Sequence, residues 1–359
     1  MTQRNNIIER KLILKKNIEF HKDNLKNKEN KLIIICKDIK QNNEEDKKQD
    51  NSPLKVLQFS FQKIKNLKLD KLNKKYCQKQ NKLLVNKYGS EIFNFSKCLE
   101  QENLISSDFL FRHKISPLTR TKMVNWMCEI FTKYQLDIQT YFLAVSIMDK
   151  FFNFTKKILE DKDIHLIGLA CIFLASKFED LIPFQIYHII TEIGKNKFSV
   201  KQLLHKEKEI LKEIKFNVLE ISTFDFVNIL IYDLKMNNFK KVRKLHLNKY
   251  LKTITDVSLF ISQIILLDDF FSVYENSLKA ICTLIFSFDY ILSVYDKLNV
   301  EVESFIKQWI LFIINESDFS EDEIYYLYNR LNLLYKQVKS VSEEGELFNV
   351  VKNFINENK

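Results

Sequence analysis

Two residues of opposite charge stand where the sequence pattern leaves little room for charge. Lys177 closes the segment IHLIGLACIFLAS, which is otherwise largely apolar. Glu207 lies four residues after Leu203 and four before Leu211, on the apolar stripe of a helix. A carboxylate in that place is costly unless it is paired. Residue pattern alone leaves two readings open: a salt bridge buried inside a bundle, or a charged pair that meets a partner. Neither is catalysis. The sequence holds no Gly-rich phosphate loop, no kinase catalytic loop and no His-Glu-x-x-His. Its six histidines lack metal-ligand spacing, and cysteines 36, 77, 98, 128, 171 and 282 include no CxxC. No catalytic residue, metal or cofactor is expected. The chemistry to look for is binding, and the chain is expected not to be an enzyme.

The elements that would position these residues are helices. Gly (4) and Pro (3) are scarce in 359 residues, so tight hairpins are hard to build, while 46% hydrophobic content supports sizeable cores. Residues 1–86 are rich in Lys, Asn and Gln and are expected to be mostly disordered, with transient helix around 54–84. Residues 1–87 hold 23 Lys+Arg against 10 Asp+Glu, so the basic charge belongs to this tail and the remainder sums to −3. That split removes most support for nucleic-acid binding by the folded part. Scattered cysteines suit a reduced, intracellular setting. The N-terminus is too polar for a signal peptide, and the apolar stretch Ala280–Tyr295 is too short to span a membrane.

From Tyr88 onward, helical stripes follow one another. Tyr88–Glu102, Arg120–Tyr134 and Tyr141–Phe152 each show a one-sided apolar pattern. Ile164–Ala175 is apolar all round, which marks a helix enclosed by others. A short helix is expected to follow Pro183, since Pro suits a first turn. Ser199-Val-Lys-Gln202 reads as a capping box for Val200–Ile214. Ser222-Thr-Phe-Asp225 restarts the series, followed by stripes at 246–266, 275–294, 302–314 and 321–338, the last opened by Ser320-Glu-Asp-Glu323. A shorter stripe of Leu347, Val350, Val351 and Phe354 ends the chain. Residues 88–359 therefore read as two successive helical bundles.

Five blocks go further. RTKMVNWMCEIFTKYQL, TYFLAVSIMDKFF, IHLIGLACIFLASKFED, a Pro, and QLLHKEKEILKEIKF resemble, in order and spacing, the cyclin box. YGSEIFNFSKCLEQE is similar to the N-terminal helix of mitotic A/B-type cyclins, and 246–354 more weakly to their second fold. The resemblance implies an all-α chain: a regulatory tail (1–86), an N-terminal five-helix cyclin fold (87–219) and a C-terminal one (220–359). It implies a regulatory subunit that binds and allosterically activates a cyclin-dependent Ser/Thr kinase in G2/M-type cell-cycle control, in nucleus or cytoplasm. Lys177, Phe178, Glu207, Leu211 and Phe216 match positions that contact the kinase αC helix, although core packing remains an alternative for Leu211 and Phe216. Arg120 and Asp149 match a buried ion pair between the first two box helices. A substrate-docking groove for Arg-x-Leu partners would use Met123, Trp126, Glu129 and His165. Here Thr119 replaces the usual Met, His165 the usual Gln, and Lys133 a common acid. Two prolines are also replaced, one by Ser222 and one within Tyr274-Glu-Asn-Ser277.

The tail carries two short motifs. Lys28-Glu29-Asn30 matches the KEN degron read by the anaphase-promoting ubiquitin ligase, and Ser52-Pro-Leu-Lys55 fits a Ser-Pro-x-Lys phosphosite. No membrane partner is expected. The rival reading is a cyclin-fold transcription or scaffold protein that does not activate a cell-cycle kinase.

Overall fold

Capping chemistry decides where the helices begin. A computed structural model describes residues 87–134, 136–180, 182–237, 247–294 and 300–343. Eleven helices run through them: α1 (Lys87–Glu102), α2 (Pro117–Tyr134), α3 (Ile138–Phe154), α4 (Ile164–Glu179), α5 (Ile186–His188), α6 (Val200–Glu213), α7 (Thr223–Asn237), α8 (Asn248–Leu267), α9 (Asn276–Val294), α10 (Val300–Glu316) and α11 (Glu321–Glu343). No strand occurs among the described residues. The tail motifs at 28–30 and 52, the 54–84 segment and the stripe from Leu347 to Phe354 lie outside them.

The reciprocal boxes form where the sequence places them. Ser199 Oγ accepts from the Gln202 N–H (3.3 Å), while Gln202 Oε1 accepts from the Ser199 N–H (2.8 Å). Ser222 with Asp225, and Ser320 with Glu323, repeat the pattern. Several starts differ from expectation by a few residues, α3 among them, which begins at Ile138. α2 begins at Pro117, because Ser116 Oγ accepts from the Thr119 N–H (3.0 Å) and Pro suits the first helical position. The short helix follows Pro183 without including it: Ser176 Oγ first accepts from the Phe184 N–H (2.8 Å). Helical geometry starts at Ile186 and passes into a π-helical turn, Ile189–Ile193.

Each bundle is built around one enclosed helix. α4 packs against α2, α3 and α6, and its residues from Ile167 to Ser176 are all buried. α9 occupies the same role in the second bundle, with α7, α8, α10 and α11 around it. Two of its polar residues are answered internally: Tyr328 donates to Asp289 (2.6 Å), and Ser258 pairs with Ser287 (2.8 Å). Tyr250–Leu267, within α8, has the length and mean hydropathy (1.4) of a membrane-crossing helix. It packs against α7, α9, α11 and α2, which makes it a core helix of the bundle.

The bundles meet through buried polar groups. Arg120 is fully buried and donates to both carboxylate oxygens of Asp149, from Nε (2.8 Å) and Nη2 (2.5 Å). It also donates to the Leu266 carbonyl (3.0 Å) and Ser272 Oγ (3.1 Å) in the second bundle. Beside it, Lys150 meets Glu220 at 3.0 Å. α1 adds a strap. Glu100, 4% exposed, accepts from the N–H (2.7 Å) and hydroxyl (2.8 Å) of Ser277 at the start of α9. Burial pushes the Glu100 carboxyl up to about 7, against the lowering effect of those hydrogen bonds.

Two measurements follow from this junction. Arg120→Ala leaves Asp149 buried without its cation and should cost about 3–5 kcal/mol in urea unfolding. A loss within the range of an ordinary surface substitution would contradict the assignment. Glu100 favours its protonated form in the fold, so its contribution to stability declines as pH rises from 4.5 to about 7 and is level above that. The decline is on the order of 3 kcal/mol. Glu100→Gln removes this slope, and unfolding midpoints of the two proteins across that window measure the difference. Identical slopes would show that the carboxyl does not titrate as described.

Candidate functional site

The C-terminal end of α4 and the length of α6 bring the first pair together. Lys177 lies in the last turn of α4, where a cation meets the negative end of the helix dipole. Its ammonium forms an ion pair with Glu207 of α6 and stands 4.2 Å from the centre of the Phe173 ring. The two ends of this bridge differ in exposure: the Lys177 side chain is 37% exposed and that of Glu207 10%. The pair is therefore neither sealed in the core nor free in water. It sits at a rim, with the carboxylate holding the ammonium in place.

Apolar side chains at and after the ends of α4 and α6 are uncovered. Phe178 is 50% exposed, Ile182 is 87% and Phe216 is 68%, while Leu211 is half-buried against the core. Core packing thus holds in part for Leu211 and fails for Phe216. The backbone explains why. Lys215 and Phe216 both have positive φ, 53° and 59°. That region is unfavourable for residues with a Cβ, and an aromatic residue there is an outlier. The Phe216 N–H still bonds the Leu211 carbonyl (2.8 Å), which closes the end of α6 while turning the ring away from the bundle. A strained aromatic residue held in solvent gives the fold no packing in return. Sequence reasoning chose Phe216 by resemblance; its strain and exposure have no local sequence signal, since Gly would be the expected residue at such a place.

The second group of candidates lies where α2 crosses α4. Trp126 is half-buried, and its ring meets His165 edge-on at 5.0 Å. His165 also faces Phe198 at 5.4 Å. Burial, with the nearby Lys197 charge, lowers the His165 pKa and so favours the neutral ring. Glu129 is exposed, as is Lys133. Met123 is only 7% exposed, so it forms the floor of this surface. Gly168 of α4 is the reason: a Cβ at that position would stand 3.2 Å from Met123 Cγ, closer than ordinary contact. Gly168 was not singled out in the sequence, although a glycine inside an apolar helix in a chain with four glycines was available as a signal.

Arg120 and Asp149 come together in the two-point geometry described above, with a wider reach than two helices. The sequence had no signal for Ser272, whose hydroxyl both donates to Asp149 (2.9 Å) and accepts from Arg120. Among the described residues, no cluster of His, Cys, Asp and Glu could hold a metal ion.

Comparison with known proteins places this geometry. The family model described as "Cyclin, N-terminal domain" matches residues 91–219, which include α2 to α6 and every candidate residue of the first bundle. G2/mitotic-specific cyclin-2 of Saccharomyces cerevisiae is 32% identical over 135 residues, covering 38% of this chain and 27% of that protein. Putative cyclin-B3-1 of Arabidopsis thaliana is 30% identical over 139 residues, 38% of this chain and 34% of that protein. G2/mitotic-specific cyclin-B of Emericella nidulans is 28% identical over 174 residues, 48% of this chain and 35% of that protein. The matches thus span about a third of the length of these relatives. Among solved structures, a viral cyclin from herpesvirus saimiri aligns with a TM-score of 0.42 and 16% identity, covering 58% of this chain and 89% of that one, a likeness too low to carry an argument. The box motifs, the matched family model and these relatives agree on a cyclin N-terminal domain over residues 91–219, and this part of the chain is similar to mitotic cyclins.

Proposed function

We propose that this chain is a non-enzymatic regulatory subunit that binds and activates a cyclin-dependent Ser/Thr protein kinase, with a role at G2/M. The observation that carries the proposal is the half-exposed Lys177–Glu207 pair beside the exposed Phe178, with Phe216 exposed beyond the end of α6. A charged pair fixed at the edge of exposed aromatic rings offers directional hydrogen bonding within an apolar contact, the composition of an interface centre. Lys177 Nζ has further donor capacity beyond Glu207, and it is the more exposed partner of the two. In this reading it donates to backbone carbonyls at the end of the kinase αC helix, and Glu207 accepts from backbone N–H groups. Phe178, Leu211 and Phe216 cover the helix's apolar side.

Activation then requires no chemistry from this chain. Binding favours the kinase state in which αC is swung inward, so binding energy becomes a shift in population. The strain at Lys215 and Phe216 supports the reading, because it keeps the Phe216 ring presented before the partner arrives and reduces the ordering cost of association. The surface of Trp126, Glu129 and His165 over Met123 is assigned to docking of Arg-x-Leu substrates or inhibitors, with Glu129 pairing the Arg. The KEN motif at 28–30 is assigned to turnover through the anaphase-promoting ligase, and Ser52 to phosphorylation by the partner kinase. Nucleus and cytoplasm are the proposed compartments.

A tagged native chain should co-purify a protein kinase and its activity from the extract of the source cells. Lys177→Ala with Glu207→Ala, and separately Phe216→Ala, should each reduce the recovered activity at least tenfold, on the order of 1.4 kcal/mol or more of binding. Phe216→Ala should leave the unfolding midpoint unchanged or raise it, since the ring is exposed and its backbone strained. Full recovery of kinase with the double variant would refute the contact assignment. Failure of the native chain to recover any kinase would favour the rival reading of a cyclin-fold scaffold.

A further inference from the structure

The exposed face of α2 carries one stripe with a charge pattern of its own. Lys122, Trp126, Glu129 and Lys133 are spaced four, three and four residues apart, so they follow one another along a single side of the helix. Lys122, Glu129 and Lys133 are exposed, and Trp126 is half-buried. Among the described residues, none of these three charges makes an ion pair. Lys133 could reach Glu129 one turn away; its ammonium stands instead 5.3 Å from the centre of the Tyr134 ring.

Acids near the two ends of the stripe have partners of their own. Beside the start of α2, Glu160 meets Lys162 (2.7 Å) and Lys114 (3.8 Å), and Asp161 accepts from the Ser116 N–H (3.0 Å). Beyond Lys133, Glu192 meets His188 (3.3 Å) and accepts from Tyr134 (3.2 Å). On the opposite wall, Lys197 lies close enough to His165 to act on its charge, a further cation. The stripe itself reads cation, aromatic, anion, cation. An Arg-x-Leu segment uses only the middle, with its Arg on Glu129 and its Leu on Trp126 above Met123. The lysines at the two ends are left over, and they repel a peptide whose basic charge continues beyond that Arg.

We propose that this surface selects partner peptides of the pattern acid-x-Arg-x-Leu-x-acid, the leading acid on Lys133 and the trailing acid on Lys122. The assignment rests on docking of Arg-x-Leu segments at this surface and adds which of them are taken. An extended peptide turns every second side chain to the same face at about 3.3 Å per residue, so these four side chains span about 20 Å. At about 1.5 Å per residue, the stripe from Lys122 to Lys133 spans about 16 Å. The flexible four-carbon stems of the lysines cover the difference. Direction is fixed by the middle of the stripe. With Arg on Glu129 and Leu on Trp126, the peptide runs toward the start of α2, which brings the residue two before Arg to Lys133 and the residue two after Leu to Lys122. Exposed pairs of this kind decide between partners more than they add affinity.

Fluorescence polarisation with the full chain tests the pattern. Three labelled peptides share a central Ala-Arg-Ala-Leu-Ala and carry Asp, Asn or Lys at both ends. The Asp peptide should bind about threefold or more tightly than the Asn peptide, and the Lys peptide should bind most weakly. Raising salt from about 0.05 M to about 0.5 M should bring the Asp and Asn peptides together, because exposed charges are screened. Lys122→Glu with Lys133→Glu should reverse the order, so that the Lys peptide is preferred. Equal binding of the Asp and Asn peptides, with both lost when the peptide Arg is changed to Ala, would leave Arg-x-Leu docking in place and overturn the selectivity. Binding of none of the peptides would overturn docking and selectivity together. An unreversed order in the double variant would also overturn the selectivity. Should the double variant fail to fold, the three peptides on the native chain decide alone.

Discussion

A guanidinium sealed from water must have its N–H groups answered by protein, and the answers Arg120 receives tie the molecule together. Two come from Asp149 on α3, one from the carbonyl of Leu266 at the end of α8, and one from Ser272. The planar fork of arginine fixes the directions of all of them at once. A lysine at position 120 would satisfy the charge and lose the geometry. The angle between α2 and α3 and the seating of the second bundle on the first are thus set by one side chain. The angle between those helices in turn decides where α4 runs, and α4 carries Lys177. The exposed rim of the first bundle depends on a buried contact at its opposite, inner side.

The same junction shows how two helix starts of the second bundle are fixed without proline. At the start of α7, Ser222 and Asp225 form a reciprocal box, so the first turn is fixed by hydrogen bonds in place of a locked φ. At the start of α9, the N–H of Ser277 is answered from outside the helix, by Glu100 of α1. A proline has no N–H to answer; serine does, and the fold supplies the acceptor at the cost of burying a carboxyl. That contact links α1 to the second bundle. Lys97 with Asp318 (2.5 Å) and Gln101 with Glu275 (2.9 Å) extend the strap along the same helix. The exposed pair adds little, because water and salt screen it; the buried Glu100 contact is the one that matters.

Two kinds of local cost sit in the first bundle, and both lie near proposed contact surfaces. Lys215 and Phe216 are held at positive φ after α6. Lys195 and Asn196 are held the same way after the π-helical turn, and Lys197 next to them influences His165. Neither pair uses glycine. Stability alone would favour glycine at such positions, so a side chain is kept at Phe216 where it gives the isolated chain nothing. Binding is the physical circumstance in which such a residue contributes.

Much of the architecture was legible in the residues themselves. Apolar periodicity marked nearly every helix, and three serine boxes set three of the starts, because capping and periodicity are local: the atoms involved lie within four residues of one another. An all-apolar Ile164–Ala175 announced an enclosed helix for the same reason. The spacing of Glu207 among Leu203 and Leu211 established that a charge stood on a buried stripe. What spacing could not settle was its partner, its depth, or the choice between sealed bridge and exposed rim. Those depend on how α4 and α6 cross, and the crossing follows from side chains far apart in sequence, with Gly168 letting α2 approach and Arg120 setting the frame. Glu100 was invisible in sequence on the same ground. It reads as an ordinary charged residue on its helix, and only the seating of α1 on the second bundle excludes the water that would have made it so.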